Sequence, residues 1–205
     1  NNISIGRNIG VKKAKYETLI FLDDDTVLID NNTLFLISEL SQKSIYGYSA
    51  IRYWTKLGWY EKNKHVIDDN MVNGLRDHYG IDYSLPDPSI RDKENNRHLI
   101  RTYIGNFGFV NRNAFIEIGM WDSSYTGYGV EDDAAAFALF SAYGRPTLLT
   151  EIEVVHITHR ISKANLNELS LNRQKFDYYL KSKGIKEFHV GRLLYCEPNV
   201  IEYVE

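Results

Sequence analysis

A chain of 205 residues, 43% hydrophobic and 25% charged, is long enough to bury one substantial core, and one domain is the natural expectation. The formal net charge of −3 gives no positive field for a nucleic-acid backbone, so the sequence argues against that partner; no apolar run approaches the ~18 residues of a membrane span. Cys196 is the only cysteine and residues 1–15 lack an apolar signal-peptide region, which fits a cytoplasmic setting, with peripheral membrane attachment left open.

In chain order, Arg7 to Lys15 reads as a short helix, and Thr18-Leu-Ile-Phe-Leu22 is an apolar run of strand length that stops at Asp23-Asp-Asp25. Asn32 to Gln42 carries Leu34, Ile37 and Leu40 on one helix face, and Tyr48 to Tyr53 is strand-like. Thr55 to Arg101 is polar and aromatic, contains Pro86 and Pro88, and reads as a long excursion with little regular structure. Beyond it come a strand from Tyr103 to Val110, a short helix from Ala114 to Ile118, and an alanine-rich helix from Asp132 to Tyr143 stopped by Gly144 and Pro146. Leu148 to Val155 is a strand ending at His156, Leu166 to Lys183 is a helix ended by Gly184, and an extended tail follows. Strands alternating with helices predict an α/β layer architecture.

Three clusters carry candidate chemistry. Asp23, Asp24 and Asp25 directly follow a strand, and open α/β sheets bind ligands at the carboxyl ends of strands. Adjacent carboxylates repel unless a cation neutralises them, and hard oxygens suit Mg2+ or Mn2+; an acidic turn capping the next helix is the competing explanation. In Gly127-Tyr-Gly-Val-Glu-Asp-Asp133, acids at a helix start are favoured by unpaired N–H groups and the helix dipole, and Asp133 is assigned that role. The two glycines also permit a close backbone approach, and a carboxylate beside them can take a proton from a substrate hydroxyl. His156-Ile-Thr-His159 puts two imidazoles at a strand's end, where one ion takes both only if the chain turns between them. The 15 tyrosines suit either a sugar-facing surface or ordinary core and surface positions.

The order of these clusters resembles a known set. Gly6-Arg-Asn-Ile-Gly10 followed by Phe21-Leu-Asp-Asp-Asp25 is similar to the family-2 glycosyltransferase segment that ends in the Asp-X-Asp metal motif. Gly105-Asn-Phe-Gly-Phe-Val-Asn-Arg112, Ile118-Gly-Met-Trp-Asp122 and Gly127–Asp133 resemble the C-terminal module of β-1,4-galactosyltransferases. The same module occurs in polypeptide N-acetylgalactosaminyltransferases and chondroitin-polymerase-like bacterial enzymes. Those families read Gly-Trp-Gly-Gly-Glu-Asp, where this chain has Tyr128 for the Trp and Val130 for the last Gly. His156–His159 and Asn172-Arg-Gln-Lys-Phe176 resemble the galactosyltransferase metal-ligand segment and its downstream Asn/Phe pattern. The resemblance runs over residues 3–178.

It implies a GT-A fold, a mainly parallel sheet flanked by helices, with residues 1–183 as a partial catalytic region and 184–205 as a C-terminal extension. In GT-A enzymes the Asp-X-Asp motif follows a first half that cradles the nucleotide base. Here the triplet starts at position 23, so that nucleotide-binding half is expected to be missing, whether in a fragment or in a shortened relative. The implied activity is metal-dependent transfer of a hexose or N-acetylhexosamine from a nucleotide-diphosphate sugar, a UDP-sugar first, to a hydroxyl of a glycan or other acceptor. Inversion and a place in polysaccharide biosynthesis are part of the same implication. Asp25, His159 and His156 would bind Mn2+ (or Mg2+), while Arg7, Asp23 and Asp24 would bind the donor. Asp132 would be the base and Glu131 would hold the acceptor, on a platform of Trp121, Tyr125 and Tyr128, with Trp121 serving equally well as core. The excursion from Thr55 to Arg101 and the Gly127–Gly129 hinge are expected to act as lids. Competing classes are a metal-dependent phosphohydrolase with the same acids and histidines, and a sugar-binding module without catalysis.

Overall fold

The computed structural model describes residues 2–28, 31–55, 81–86, 98–100, 107–144, 146–157, 162–184, 193–195 and 201–202. Helix α1 (Ile3–Lys13) begins before the predicted start because the Asn2 side chain accepts from the Ile5 N–H and caps it. Strand β1 (Thr18–Leu22) runs through the three aspartates into β2 (Thr26–Leu28), which is too short to show a periodicity. Helix α2 (Thr33–Ser41) and strands β3 (Tyr46–Thr55), β4 (Ile81–Pro86), β5 (His98–Ile100) and β6 (Phe107–Asn111) follow. Then come α3 (Arg112–Glu117), α4 (Glu131–Tyr143), β7 (Thr147–His156), α5 (Lys163–Ser182), β8 (Leu193–Tyr195) and β9 (Ile201–Glu202).

The main sheet has the order β1-β6-β3-β7-β2, with β4 also pairing β3. The expectation of a mainly parallel sheet is corrected. Among the described strands only β3 with β7 is parallel, while β1–β6, β6–β3, β3–β4 and β7–β2 are antiparallel. A parallel neighbour needs a crossover connection, usually a helix. Between β3 and β6 the chain reverses direction instead, so β6 runs antiparallel to β3 and to β1 on its other side. The excursion after β3, expected to hold little regular structure, contains β4 and β5; residues 56–80, 87–97 and 101–106 lie outside the described residues, and with them most of the expected lid. Strand β8, from the expected C-terminal extension, pairs with β5 and β9 in a second, three-stranded sheet.

Strands β1 and β2 stand at opposite ends of the strand order, yet only Asp23, Asp24 and Asp25 join them. In a flat sheet, four spacings of ~4.8 Å would hold them about 19 Å apart, while four extended steps of chain span at most ~14 Å. The sheet therefore curls. The β3–β7 register shows where, jumping from Ser49↔Leu149 to Ile51↔Glu153, so that one residue of β3 opposes three of β7. The far end of β7 is drawn back to the triplet, where the Ile157 N–H donates to the Asp25 carbonyl at 2.7 Å.

Helices α1, α3 and α4 cover one face through Val11, Leu19, Val110, Phe115, Trp121, Ala135 and Leu139. Helix α2 covers the other, with Ile37 against Phe107, Phe109, Leu149, Ile152 and Val154. This explains why β6 is apolar on both faces: Phe107 and Phe109 point to α2, and Val110 to α1 and α4. Helix α5 sets Phe176 and Leu180 against Tyr125 and Val130, just ahead of α4. Each such burial is worth about 1.5–3 kcal/mol, and together they fix the rim where the aspartates meet the start of α4.

Candidate active site

Arg7 projects from α1 and joins two distant parts of the chain. Its Nη2 donates to Asp23 Oδ1 at 2.8 Å, and its Nη1 donates to Asp132 Oδ1 at 2.9 Å and to Glu131 Oε1 at 3.3 Å. The acids after β1 and those opening α4 thus meet on one guanidinium. Asp132 Oδ1 also accepts from the indole Nε1 of Trp121 at 2.9 Å, and the guanidinium lies 5.1 Å from the Trp121 ring centroid. Asn8, next to Arg7 on α1, holds Trp121 in place: its Nδ2 donates to the Trp121 carbonyl at 2.8 Å and its Oδ1 accepts from the Trp121 N–H at 3.1 Å.

Trp121 takes the core position rather than a surface one. It is 1% exposed, and Phe21 and Phe115 pack edge-on to it at 4.4 and 4.7 Å. Tyr125 is also buried, against Phe176, with the Lys175 ammonium 4.4 Å from its ring centroid; burial pushes its hydroxyl up to about 12. Tyr128 is half-buried beside the acids, and its hydroxyl is raised by burial and by Glu131, Asp25 and Asp23.

One guanidinium faces three carboxylates, and the electrostatics follow. Burial pushes Asp23 up to about 6, with Asp132 and Asp25 adding to the rise and Arg7 opposing it. Burial and the neighbouring Asp132 push Glu131 up to about 7. Burial alone would lower the Arg7 value, but Asp132, Asp23 and Glu131 outweigh it and raise it. The cluster has a surplus of negative charge that favours a proton or a cation.

The Asp25 and His156 side chains meet beside this cluster. Pairing of β2 with β7 sets Thr26 opposite His156, and Asp25 Oδ2 lies 3.4 Å from His156 Nε2. Donors bound to one divalent ion at ~2.0–2.2 Å stand about 3 Å apart, so this oxygen–nitrogen pair suits sharing one. His159 lies outside the described residues, and among the described residues no group of three or more His, Cys, Asp or Glu is arranged to hold a metal. Asp24 is exposed and takes no part in the Arg7 network.

The turn into α4 is unusual. The N-cap is Val130, at φ 76° and ψ −20°, with no side-chain cap bond. Asp132 spends its bonds on Arg7 and Trp121, and Asp133 is buried with its Oδ2 3.7 Å from Arg173 Nη2. Asn172 and Glu168 of α5 hold the glycine loop before Val130 by hydrogen bonds to its backbone. Asn8 and Glu168 lie outside the residues predicted from the sequence, and Asn172 is among them only as part of a resembling segment. Asn8 had one available signal, its place beside Arg7 in the first glycine-flanked motif.

The chain has the fold of part of a known glycosyltransferase. It matches the crystal structure of GalNAc-T7 with UDP, GalNAc and Mn2+ at a TM-score of 0.52 and 15% identity, over 89% of this chain and 37% of that one. No family model and no curated protein matches the sequence. That likeness is one of fold alone, and this chain spans well under half of the other's length. No helix among the described residues is long and apolar enough to cross a membrane.

Proposed function

We propose that residues 1–183 form the acceptor-side catalytic region of a metal-dependent, inverting glycosyltransferase. It would move a hexose or N-acetylhexosamine from a nucleotide-diphosphate sugar, a UDP-sugar first, to a hydroxyl of a glycan. The observation that carries this reading is the Arg7 bridge, which gathers Asp23, Glu131 and Asp132 next to Asp25 and His156. The shared fold with GalNAc-T7 supports it.

Both bonds to Asp132 end on Oδ1, which leaves Oδ2 to take the proton of the acceptor hydroxyl. The freed oxygen attacks the anomeric carbon as the bond from that carbon to the diphosphate breaks. Glu131 and Tyr128 orient the acceptor, and Asp23, with Asp24 beside it, faces the donor. Asp25 and His156, with His159, would hold Mn2+ (or Mg2+), which when bound supplies positive charge for the leaving diphosphate. Arg7 keeps Asp23 and Asp132 at a fixed separation and limits their repulsion.

The test uses the full natural chain, Mn2+, a panel of nucleotide sugars and hydroxyl acceptors, with the product anomer read by NMR. Transfer with inversion is expected. Hydrolysis of simple phosphate esters without acceptor would support the phosphohydrolase reading instead, and sugar binding without turnover would support the binding module.

A further inference from the structure

Helix α5 fastens the loop that leads into Glu131 and Asp132. Asn172 is 7% exposed, and its Nδ2 donates to the carbonyls of Thr126 at 3.0 Å, Gly129 at 3.0 Å and Tyr128 at 3.3 Å. An amide nitrogen carries two hydrogens, so the third carbonyl shares one of them. One turn earlier on the same helix face, Glu168 Oε2 accepts from the Tyr128 N–H at 3.0 Å.

The loop lies this close to α5 because residues 127 and 129 are glycine. Both have left-handed backbones, at φ 77° and 84°. A Cβ on Gly129 would stand 2.5 Å from Leu169 Cδ1, and one on Gly127 would collide with the Glu168 carboxylate. Helix α4 has no side-chain bond at its own N-cap, so the loop aims its first turn.

We propose that Asn172, seconded by Glu168, is a positioning residue for the transfer reaction: it holds the 126–129 carbonyls in the arrangement that presents Glu131 and Asp132 to Arg7. This rests on the transferase reading above. Three carbonyl oxygens converging on one point repel, and the amide donor offsets that repulsion. Asn172→Asp is nearly isosteric but turns the donor into an acceptor. The loop would then move away and take the α4 acids with it. Asp25 and His156 are set by the β2–β7 pairing instead and would stay.

The experiment measures three things on the full natural chain: hydrogen exchange of the 127–130 amides, acceptor kcat and KM, and donor Kd with Mn2+. In Asn172→Asp, loop exchange should rise and acceptor kcat/KM fall by about tenfold or more, the scale of a lost hydrogen bond, with donor Kd within about twofold. Glu168→Ala sits on a half-exposed helix face that tolerates truncation, and should do the same in smaller measure. Glu168→Gln keeps an oxygen for the Tyr128 N–H and should restore most of the loss. Unchanged exchange in both Asn172→Asp and Glu168→Ala would overturn the proposal, as would faster exchange with unchanged acceptor kinetics. If the wild-type chain transfers no sugar, the transferase reading fails, and exchange alone decides whether these residues hold the loop.

Discussion

Trp121 and Asp132 are joined by a buried hydrogen bond, from the indole Nε1 to Oδ1 at 2.9 Å, and the same oxygen accepts from Arg7. The core thereby reaches directly into the acid cluster. Trp121→Phe keeps an aromatic ring against Phe21 and Phe115 and deletes only the donor. A hydrogen bond to a charged group contributes about 1.5–3 kcal/mol, so urea denaturation should show a loss of about 2 kcal/mol. Transfer should fall by about tenfold as Asp132 loses one of its two anchors. Wild-type stability and rate in Trp121→Phe would remove the anchoring role.

The acid cluster predicts a pH dependence with a definite sign. Asp23 sits at about 6 and Glu131 at about 7, above the ordinary 3.8 and 4.5 that apply to the unfolded chain. The fold therefore favours their protonated forms. Their contribution to stability is full below about pH 4, is lost as pH rises through 6 to 7, and changes little beyond. Arg7→Ala should unfold more easily than wild type at pH 8, with the gap narrowing toward pH 5 as the carboxyls protonate. Mn2+ should raise the wild-type Tm at pH 8, by mass action on a site that prefers a cation, and Asp25→Ala should abolish that rise. A gap that widens toward pH 5 would contradict the charge account.

Val130 predicts a reversal of the usual alanine–glycine order. A β-branched residue with φ 76° is strained, and left-handed backbone costs roughly 1–2 kcal/mol for residues bearing a Cβ. Val130 persists there because it is 4% exposed and packs with Tyr125, Phe176 and Leu180. Both Val130→Ala and Val130→Gly lose that packing, but only glycine relieves the backbone. Ordinarily glycine is the less stable by about 1 kcal/mol. Here Val130→Gly should be the more stable by about 1 kcal/mol, measured by urea titration. The resembling families carry glycine at this place in the motif.

Local structure was legible where side-chain pattern and capping speak. Strand β1 is an apolar run closed by charges, and α4 is alanine-rich and closed by Gly144, so both fall where the residues predict. Strand direction was not legible, because an apolar run such as Phe107–Val110 is the same read either way. The alternation of strands and helices suggested parallel pairing, and β6 breaks it by running back against both β1 and β3. Motif order brought the acids into view, but nothing in the spacing tells that Arg7 bridges Asp23 and Asp132, or that Trp121 turns inward to hold the second. Those contacts arise from the curl of the sheet and from α1 packing beside α4, which are tertiary facts.

The last prediction separates the base from the metal. Asp132→Asn keeps the oxygen that accepts from Trp121 and Arg7 and loses the one that can take a proton. Transfer should fall by roughly 10²–10⁴, the usual contribution of a general base, with Mn2+-dependent donor binding within about twofold. Asp25→Ala should instead weaken metal-dependent donor binding and turnover together. Glu131→Gln should raise acceptor KM and remove an ionisation near 7 from the pH–rate profile, because Glu131 is the carboxyl that burial and Asp132 push there. If the acids at the start of α4 served only as helix caps, Asn would replace Asp at no cost, since it caps equally well. The geometry already strains that explanation: Val130 is the cap, and Asp132 Oδ1 is held by Arg7 and Trp121. Near-wild-type transfer by Asp132→Asn would sink the assignment and pass the base role to Glu131, whose position near neutrality suits it.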